Sequence, residues 1–468
     1  MNYHVLNLIN ELKKYIGDFL GREKLIIIGG HPGSGKTTLA SSICLASVQQ
    51  EYRCLYISLQ EPKEKFYEEI KAVGLNLEEY EKNGYFKFIK LPLLSDEETL
   101  EQLFNTITKE IAEFKPRVIV VDSITPLLKT VTQDVKARSY LQNYFYELQR
   151  IISGPVILIA ELPYGEEQLK LGDVEFVSDV IIVLKHRVIR GLIARFMEIR
   201  KIRGHNLTLA EIPFSIQPQR GIVLLPPPIL SEISEVREFI EVPCTNLSES
   251  IPKLMKSANI YYEYPPHFRV GEPGVLIPML GLASNELRKP VLFITYKYPE
   301  DSIKALFERI IEMYAGSSEV LSTILNNIVV KPINPYAYSL PELNAMENEL
   351  IERYDPVQVV FHDVGVLMAS TRDIENYMHL LQNQIFYLKR KGIMVARYAS
   401  RIDPRISRIN ASISDVIVKA ICEKECLDYK LYIWARFGNP RILRSNEVLM
   451  CLKEIIKKLE ENIRLYEK

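Results

Sequence analysis

Residues 30–38, Gly30-His31-Pro32-Gly33-Ser34-Gly35-Lys36-Thr37-Thr38, carry types and a spacing that dictate a chemistry. They fit the pattern of a glycine-rich phosphate loop ending in Lys-Thr. Glycines let backbone N–H groups converge on an anion, because a side chain there would block the approach. Lys36 can reach terminal phosphates, and the Thr37 hydroxyl can hold Mg2+. Phosphoryl transfer also needs a second metal-side carboxylate, a group that orients water, and positive charge on the leaving phosphates. Asp122, closing the apolar run Val118–Val121, is the candidate metal carboxylate. Glu61, with Gln60 beside it, is the candidate for orienting or activating water, and Glu161 is a second carboxylate that follows an apolar run. Lys201 and Arg203, two cations before Gly204, are candidates for the positive charge.

The elements that must hold these residues are legible in the hydrophobic pattern. Leu25–Ile28 reads as a buried strand, and 38–43 as the helix whose N-terminus faces the anion. Further strands are expected at Cys54–Ser58, Phe86–Leu91, Val118–Val121, Val156–Ala160, Val180–Leu184 and Arg195–Lys201. Helices are expected over 5–20, 63–73, 96–114 and 134–152. Strands alternating with helices predict an α/β fold, a mostly parallel sheet covered on both faces. The apolar positions of 5–20 suit packing on their own domain or docking on a neighbour.

The chain has 468 residues, 25% of them charged, with a net charge of −1. That balance argues against a general nucleic-acid or membrane-surface role. Its apolar runs are of strand length, so no membrane span is expected. With no leader-like opening, a reduced cytoplasmic protein is expected. Six scattered cysteines do not suggest a disulfide framework, and Cys422 and Cys426 form only a CxxxC, too little for zinc. They are therefore expected to be thiols. The abundance of Ile, Lys, Glu and Tyr leans towards a thermophile.

The chain also repeats itself. Gly30–Leu39 is echoed by Gly271–Leu280, Leu55–Pro62 by Leu292–Pro299, Val118–Asp122 by Val359–Asp363, and Ser178–Ile181 by Ser414–Ile417, at offsets of 241, 237, 241 and 236 residues. Four matches in order predict a tandem duplication. On this alignment Gly35, Lys36 and Thr37 become Leu276, Ile277 and Pro278, and Gln60 and Glu61 become Lys297 and Tyr298, so the second copy has lost its chemistry. Pro226-Pro227-Pro228 reads as a stiff connector. The expected organisation is a first domain over 1–225, a linker over 226–234, a degenerate second domain over 235–446, and an amphipathic C-terminal helix over 447–468.

Together Gly30–Thr37, Ser58-Leu59-Gln60-Glu61, Val121-Asp122-Ser123, Glu175-Phe176-Val177-Ser178-Asp179 and Arg200-Lys201-Ile202-Arg203-Gly204 resemble the KaiC-like branch of the RecA-type ATPases. The resemblance covers about residues 25–225 and, more weakly, 265–440, and its tandem layout is similar to that of KaiC. It implies two RecA-like domains, ATP and Mg2+ as ligands, and a homo-oligomeric ring, often a hexamer, with ATP between subunits. Lys201 and Arg203 would then reach the neighbour's γ-phosphate, and a protein partner would read the nucleotide state. Gln60 stands where the family has the first of two glutamates. A glutamine orients water without taking its proton, so slow hydrolysis is expected, with Glu61 doing what is left. The second domain lacks a phosphate loop and the carboxylate pair, so autokinase activity is not expected there. The expected role is a nucleotide-dependent assembly or signalling switch. The alternatives are a recombinase-like DNA-handling ATPase, disfavoured by the sparse cations after Asp122, and an ATP-binding scaffold without turnover.

Overall fold

A computed structural model describes residues 3–91, 97–130, 135–163, 165–166, 169, 173–189, 191–204, 210–228, 232–233, 235–248, 251, 253–268, 271–369, 374–422 and 428–466. The chain divides into two compact units, Met1–Pro226 and Pro227–Lys468.

The first unit contains α1 (Tyr3–Ile16), β1 (Leu25–Gly30), α2 (Lys36–Gln49), β2 (Cys54–Ser58), α3 (Lys63–Ala72), α4 (Glu78–Lys82), β3 (Phe86–Lys90), α5 (Glu97–Phe114) and β4 (Val118–Asp122). It continues through α6 (Thr125–Thr130), α7 (Val135–Ile151), β5 (Val156–Glu161), α8 (Asp173–Val177), β6 (Val180–Ile189), β7 (Leu192–Ile202), β8 (Glu211–Gln217) and β9 (Gly221–Leu224). Its nine strands are ordered β3-β2-β4-β5-β1-β6-β7-β8-β9. The first six are parallel; β1, β2, β4 and β5 are buried on both faces, which is why they read as apolar runs, while the edge strand β3 buries only Phe86 and Phe88. An antiparallel meander, β6 to β9, finishes the edge. Val5, Leu8, Ile9, Leu12 and Ile16 of α1, with Phe19 and Leu20, are buried in this unit's own core, so they are not available to a neighbour.

The second unit contains β10 (Phe239–Ile240), α9 (Thr245–Ser248), β11 (Leu254–Met255), β12 (Asn259–Tyr264), α10 (Gly271–Ser284), β13 (Val291–Thr295), α11 (Glu300–Glu312), α12 (Ser318–Asn326) and β14 (Ile328–Pro332). It ends with α13 (Leu340–Tyr354), β15 (Gln358–His362), α14 (Gly365–Ala369), α15 (Ile374–Arg390), β16 (Met394–Ser400), α16 (Pro404–Ser412), β17 (Val416–Cys422), β18 (Tyr429–Ala435), β19 (Arg441–Arg444) and α17 (Ser445–Tyr466). Its main sheet runs β14-β13-β15-β16-β12-β17-β18-β19. Strand for strand this is the order of the first sheet without its last member. The α17 positions Val448, Leu452, Ile455, Ile456, Leu459 and Ile463 lie in the core of this unit.

The duplication extends to single hydrogen bonds. Asp179 Oδ2 accepts from Leu25 N at 3.0 Å, and Asp415 Oδ2 accepts from Asn259 N at 2.9 Å. Each carboxylate thus caps the free amide that opens the central strand of its sheet.

Structure also corrects the alignment of the copies. Ser58 pairs with Asp122 and Thr295 with His362, so the counterpart of Asp122 is His362, not Asp363. The C-terminal turns of α2 and α10 match through Gln50 N to Ser47 O and Asn285 N to Leu282 O, which sets Gly271 against Lys36 and Glu272 against Thr37. Gly271–Leu280 is therefore helix, with Pro278 inside it, and not a decayed phosphate loop. The Gly-x-Pro-Gly likeness is out of step with the helices by six residues and with β1 and β12 by seven.

Among the described residues no cysteine is a free thiol. Cys44 of α2 is joined to Cys54 of β2, and Cys244 to Cys451 of α17. Cys422 is also disulfide-bonded, while Cys426 lies outside the described residues. Helix–strand packing brings these side chains together, and sequence spacing does not show it.

Candidate functional site: the loop between β1 and α2

Residues 31–35 form the crossing from β1 to α2, at the C-terminal end of the parallel sheet, where open α/β folds place their ligands. A Cβ on Gly30 would stand 2.5 Å from Leu184 O and 2.6 Å from Ser34 Oγ. Only glycine fits there. Gly33 and Gly35 hold φ of +72° and +100°, a backbone that L side chains rarely adopt. Ser34 is fully buried, and its hydroxyl has no hydrogen-bond partner among the described residues. An orphaned hydroxyl within a cradle of backbone suits an anionic oxygen.

Lys36 Nζ donates to His31 O at 3.0 Å, so the ammonium is folded over the loop that it follows. Burial lowers its pKa, and the Asp122 and Glu161 carboxylates pull it back up. Thr37 Oγ1 donates to Asp122 Oδ2 at 3.0 Å. Tyr56 of β2 donates to the same oxygen at 2.7 Å. Burial raises the Asp122 pKa, the Tyr56 and Thr37 hydrogen bonds and the Lys36 charge oppose that rise, and Glu161 adds to it. Thr37 and Asp122 thus present hard oxygens side by side, the donor set that Mg2+ prefers. Tyr56 was not evident from the sequence, where it reads as one more buried strand residue; only the pairing of β2 with β4 sets its hydroxyl at Asp122.

Glu61 stands just ahead of α3, its backbone held by Ser58 Oγ at 2.9 Å and its carboxylate paired with Lys65 at 3.0 Å. It lies close enough to Tyr56 to contribute to the rise of that hydroxyl's pKa. Gln60 is exposed. Glu161 ends β5, next to Gly30 in the register, and its N–H donates to Thr125 Oγ1 at 2.7 Å. His31 Nδ1 lies 3.2 Å from Leu162 O, and Thr38 O accepts from Ser42. Pro32 and Gly33 are exposed at the rim.

Lys201 and Arg203 are not part of this cluster. Ile202 pairs with Val180, which pairs with Ile26 at the start of β1, whereas the loop leaves its end. Four residues of strand put the cations roughly 13 Å away along the sheet. Lys201 Nζ donates to the carbonyls of Glu175 and Phe176, both at 2.8 Å. Arg203 donates to Phe176 O at 3.1 Å and pairs with Asp179 at 3.7 Å.

At the matching end of the second sheet the chemistry is replaced. Tyr264 takes the place of Gly30, and its hydroxyl lies 3.4 Å from His362 Nε2. His362 is buried at the place of Asp122 and contacts Thr295 Oγ1 at 3.0 Å; burial pushes its pKa down to about 4, so it stands neutral. Lys297 pairs with the buried Asp363 at 3.1 Å. No carboxylate stands where the first domain offers one to a metal, and no lysine opens α10.

Comparison with known proteins bears on the first domain. The family described as "ATPase: KaiC" matches residues 6–229. The chain is 27% identical over 247 residues to the circadian clock protein KaiC3 of Synechocystis sp., covering 51% of this chain and 48% of that protein. It is 25% identical over 216 residues to the circadian clock oscillator protein KaiC 1 of the same organism, covering 46% and 41%. It is 26% identical over 203 residues to the circadian clock oscillator protein KaiC of Parathermosynechococcus lividus, covering 43% and 37%. The chain thus spans less than half the length of these relatives. Residues 6–229, which hold the loop, Thr37 and Asp122, are a KaiC-type ATPase domain, a member of the KaiC-like branch of the RecA-type P-loop ATPases.

Proposed function

We propose that the chain binds ATP with Mg2+ in its first domain, hydrolyses it slowly, and uses the bound state to control assembly with copies of itself. The observation that carries this reading is the separation within one sheet. Lys36, Thr37 and Asp122 are gathered at one end, while Lys201 and Arg203 lie at the other. Two cations out of reach of their own loop can serve a nucleotide only across a subunit boundary.

Gly30–Thr38 would hold the phosphates, with Lys36 exchanging the His31 carbonyl for a phosphate oxygen. Thr37 and Asp122 would hold Mg2+, which when bound neutralises charge on the phosphates. Glu61 would have to leave Lys65 to act on water, and Gln60 can orient water without accepting its proton. Both features favour slow turnover. Lys201 and Arg203 of an adjacent copy would supply the remaining positive charge, making hydrolysis depend on assembly.

The test is ATP turnover by the purified chain against Lys36→Ala and Glu61→Ala. Turnover above background that falls in both variants supports the reading. Equal background rates in all three would falsify it and leave ATP as a structural ligand.

A further inference from the structure

Leu59, Ile107, Phe145 and Leu158 belong to one apolar cluster in the first domain. Strand register and helix ends fix their counterparts in the second. Leu25 and Asn259 open the central strands and pair with Val156 and Val395, so Arg397 takes the place of Leu158. Thr295 stands where Ser58 does, so Tyr296 takes the place of Leu59. Lys115 N to Ile111 O and Asp355 N to Ile351 O finish α5 and α13 alike, which sets Glu347 at Ile107. Gly154 N to Gln149 O and Ile393 N to Leu388 O finish α7 and α15 alike, which sets Gln384 at Phe145.

Four apolar side chains have thus become polar, and all four replacements line one cavity of about 40 Å³. Leu343, Phe361, Val364 and Leu381 give it an apolar wall. Arg397 is fully buried. It donates to Asn259 Oδ1 at 3.2 Å, to Asn410 Oδ1, to Asn410 O at 3.0 Å and to Ser414 Oγ at 2.9 Å. These partners are neutral and occupy four of its five N–H groups, leaving the second N–H of Nη1. Asp415, whose charge Arg397 feels, is committed to Lys389 at 2.7 Å. Glu347 accepts from Tyr296 and, at 2.8 Å, from Gln384. Burial pushes its pKa up to about 7, so on the acid side of neutrality it carries no charge to answer the guanidinium. Burying a cation among neutral partners is costly, and a fold whose first copy holds leucine at this place has no structural need of it.

We propose that this cavity binds a short aliphatic monocarboxylate of the size of acetate, its oxygens on the remaining N–H of Arg397 and its alkyl end among Leu343, Phe361 and Val364. The space would otherwise hold a few water molecules, so a ligand of roughly three or four heavy atoms fits. The carboxylate supplies the counter-charge that Arg397 lacks, and the apolar wall keeps water from competing for it. The first domain has no such site, because Leu158 and Ile107 fill the place. Binding here does not depend on ATP turnover in the first domain.

The experiment is denaturant unfolding of the full-length protein at fixed pH, followed by emission of Trp434, the only tryptophan in the chain and a residue of the second domain. Sodium acetate is varied at constant ionic strength against sodium chloride, with sodium benzoate as a carboxylate too large for the cavity. A saturable rise of the midpoint in acetate alone is expected. With acetate at a hundred times its dissociation constant, the folded-to-unfolded ratio should rise about a hundredfold. Arg397→Leu, which restores the residue of the first domain, should abolish the response. Val364→Ile leaves Arg397 and its partners in place and adds a methylene to the cavity wall. It too restores a residue of the first domain, since Val364 N to Tyr398 O matches Ile124 N to Ile159 O. It should weaken acetate at least about tenfold, and it decides the matter if Arg397→Leu does not fold. A midpoint that is the same in acetate and chloride overturns the proposal. So does a response shared by benzoate, or one that survives Val364→Ile undiminished.

Discussion

Thr37 Oγ1 and Asp122 Oδ2 are joined by a hydrogen bond of 3.0 Å that ties the first turn of α2 to the end of β4. A metal between them would take the place of that bond. Thr37→Val removes one oxygen of the pair. A charge-assisted bond contributes about 1.5–3 kcal/mol, so the Mg2+ concentration that half-saturates nucleotide binding should rise roughly 10- to 150-fold. Titration of Mg2+ at fixed ATP, followed by calorimetry, measures it. An unchanged midpoint would exclude Thr37 as a ligand.

Tyr56→Phe should act through Asp122. Losing the 2.7 Å hydrogen bond removes one of the forces that hold the Asp122 pKa down against burial. Asp122 then stays protonated to higher pH, and the acid limb of Mg2+-dependent turnover moves up in pH. A pH–rate profile shows this directly. A uniform loss of rate at every pH, with the limb in place, would mean that Tyr56 only packs.

The cations make a prediction about mixtures. The double variant Lys201→Ala with Arg203→Ala should lose about 10³-fold or more in turnover while still binding ATP. Lys36→Ala should bind little. Mixed one to one, the two inactive proteins combine intact loops with intact cations at some boundaries and regain measurable turnover. A mixture as inactive as its parts would place Lys201 and Arg203 outside the reaction.

The second domain carries a pH signature of its own. Glu347 is buried, accepts from Tyr296 and, at 2.8 Å, from Gln384, and burial pushes its pKa from 4.5 up to about 7. Between these values the folded domain keeps a proton that the unfolded chain has released. Stability therefore falls as pH rises through that window, by up to about 3 kcal/mol. Glu347→Gln should flatten the dependence. Denaturant unfolding followed by Trp434 emission, which lies in this domain, compares pH 5 with pH 8.

The sequence revealed what depends on local pattern. The apolar runs of β1, β4 and β5 and the spacing of Gly30, Gly35, Lys36 and Thr37 are local, and the parallel core and its loop follow from them. Strands β8 and β9 were not apparent, because short half-exposed antiparallel strands lack a continuous apolar run. Tyr56 at Asp122 and Cys44 at Cys54 are products of packing between elements distant in sequence. The duplication was legible, but its register was not. Gly271-Glu272-Pro273-Gly274 resembles Gly30–Gly33 in letters, while strand pairing and the ends of α2 and α10 set a different correspondence.

The twin carboxylates Asp179 and Asp415 show how such a copy can change so far without losing its shape. Each grips the first amide of a central strand, at the pole of the sheet away from the loop. Frame and reactivity are therefore encoded at opposite poles, and a duplicate can exchange everything at one while inheriting the other intact. The second domain keeps the foundation of a nucleotide-binding fold while the loop end of its sheet carries Tyr264 and His362 in place of Gly30 and Asp122.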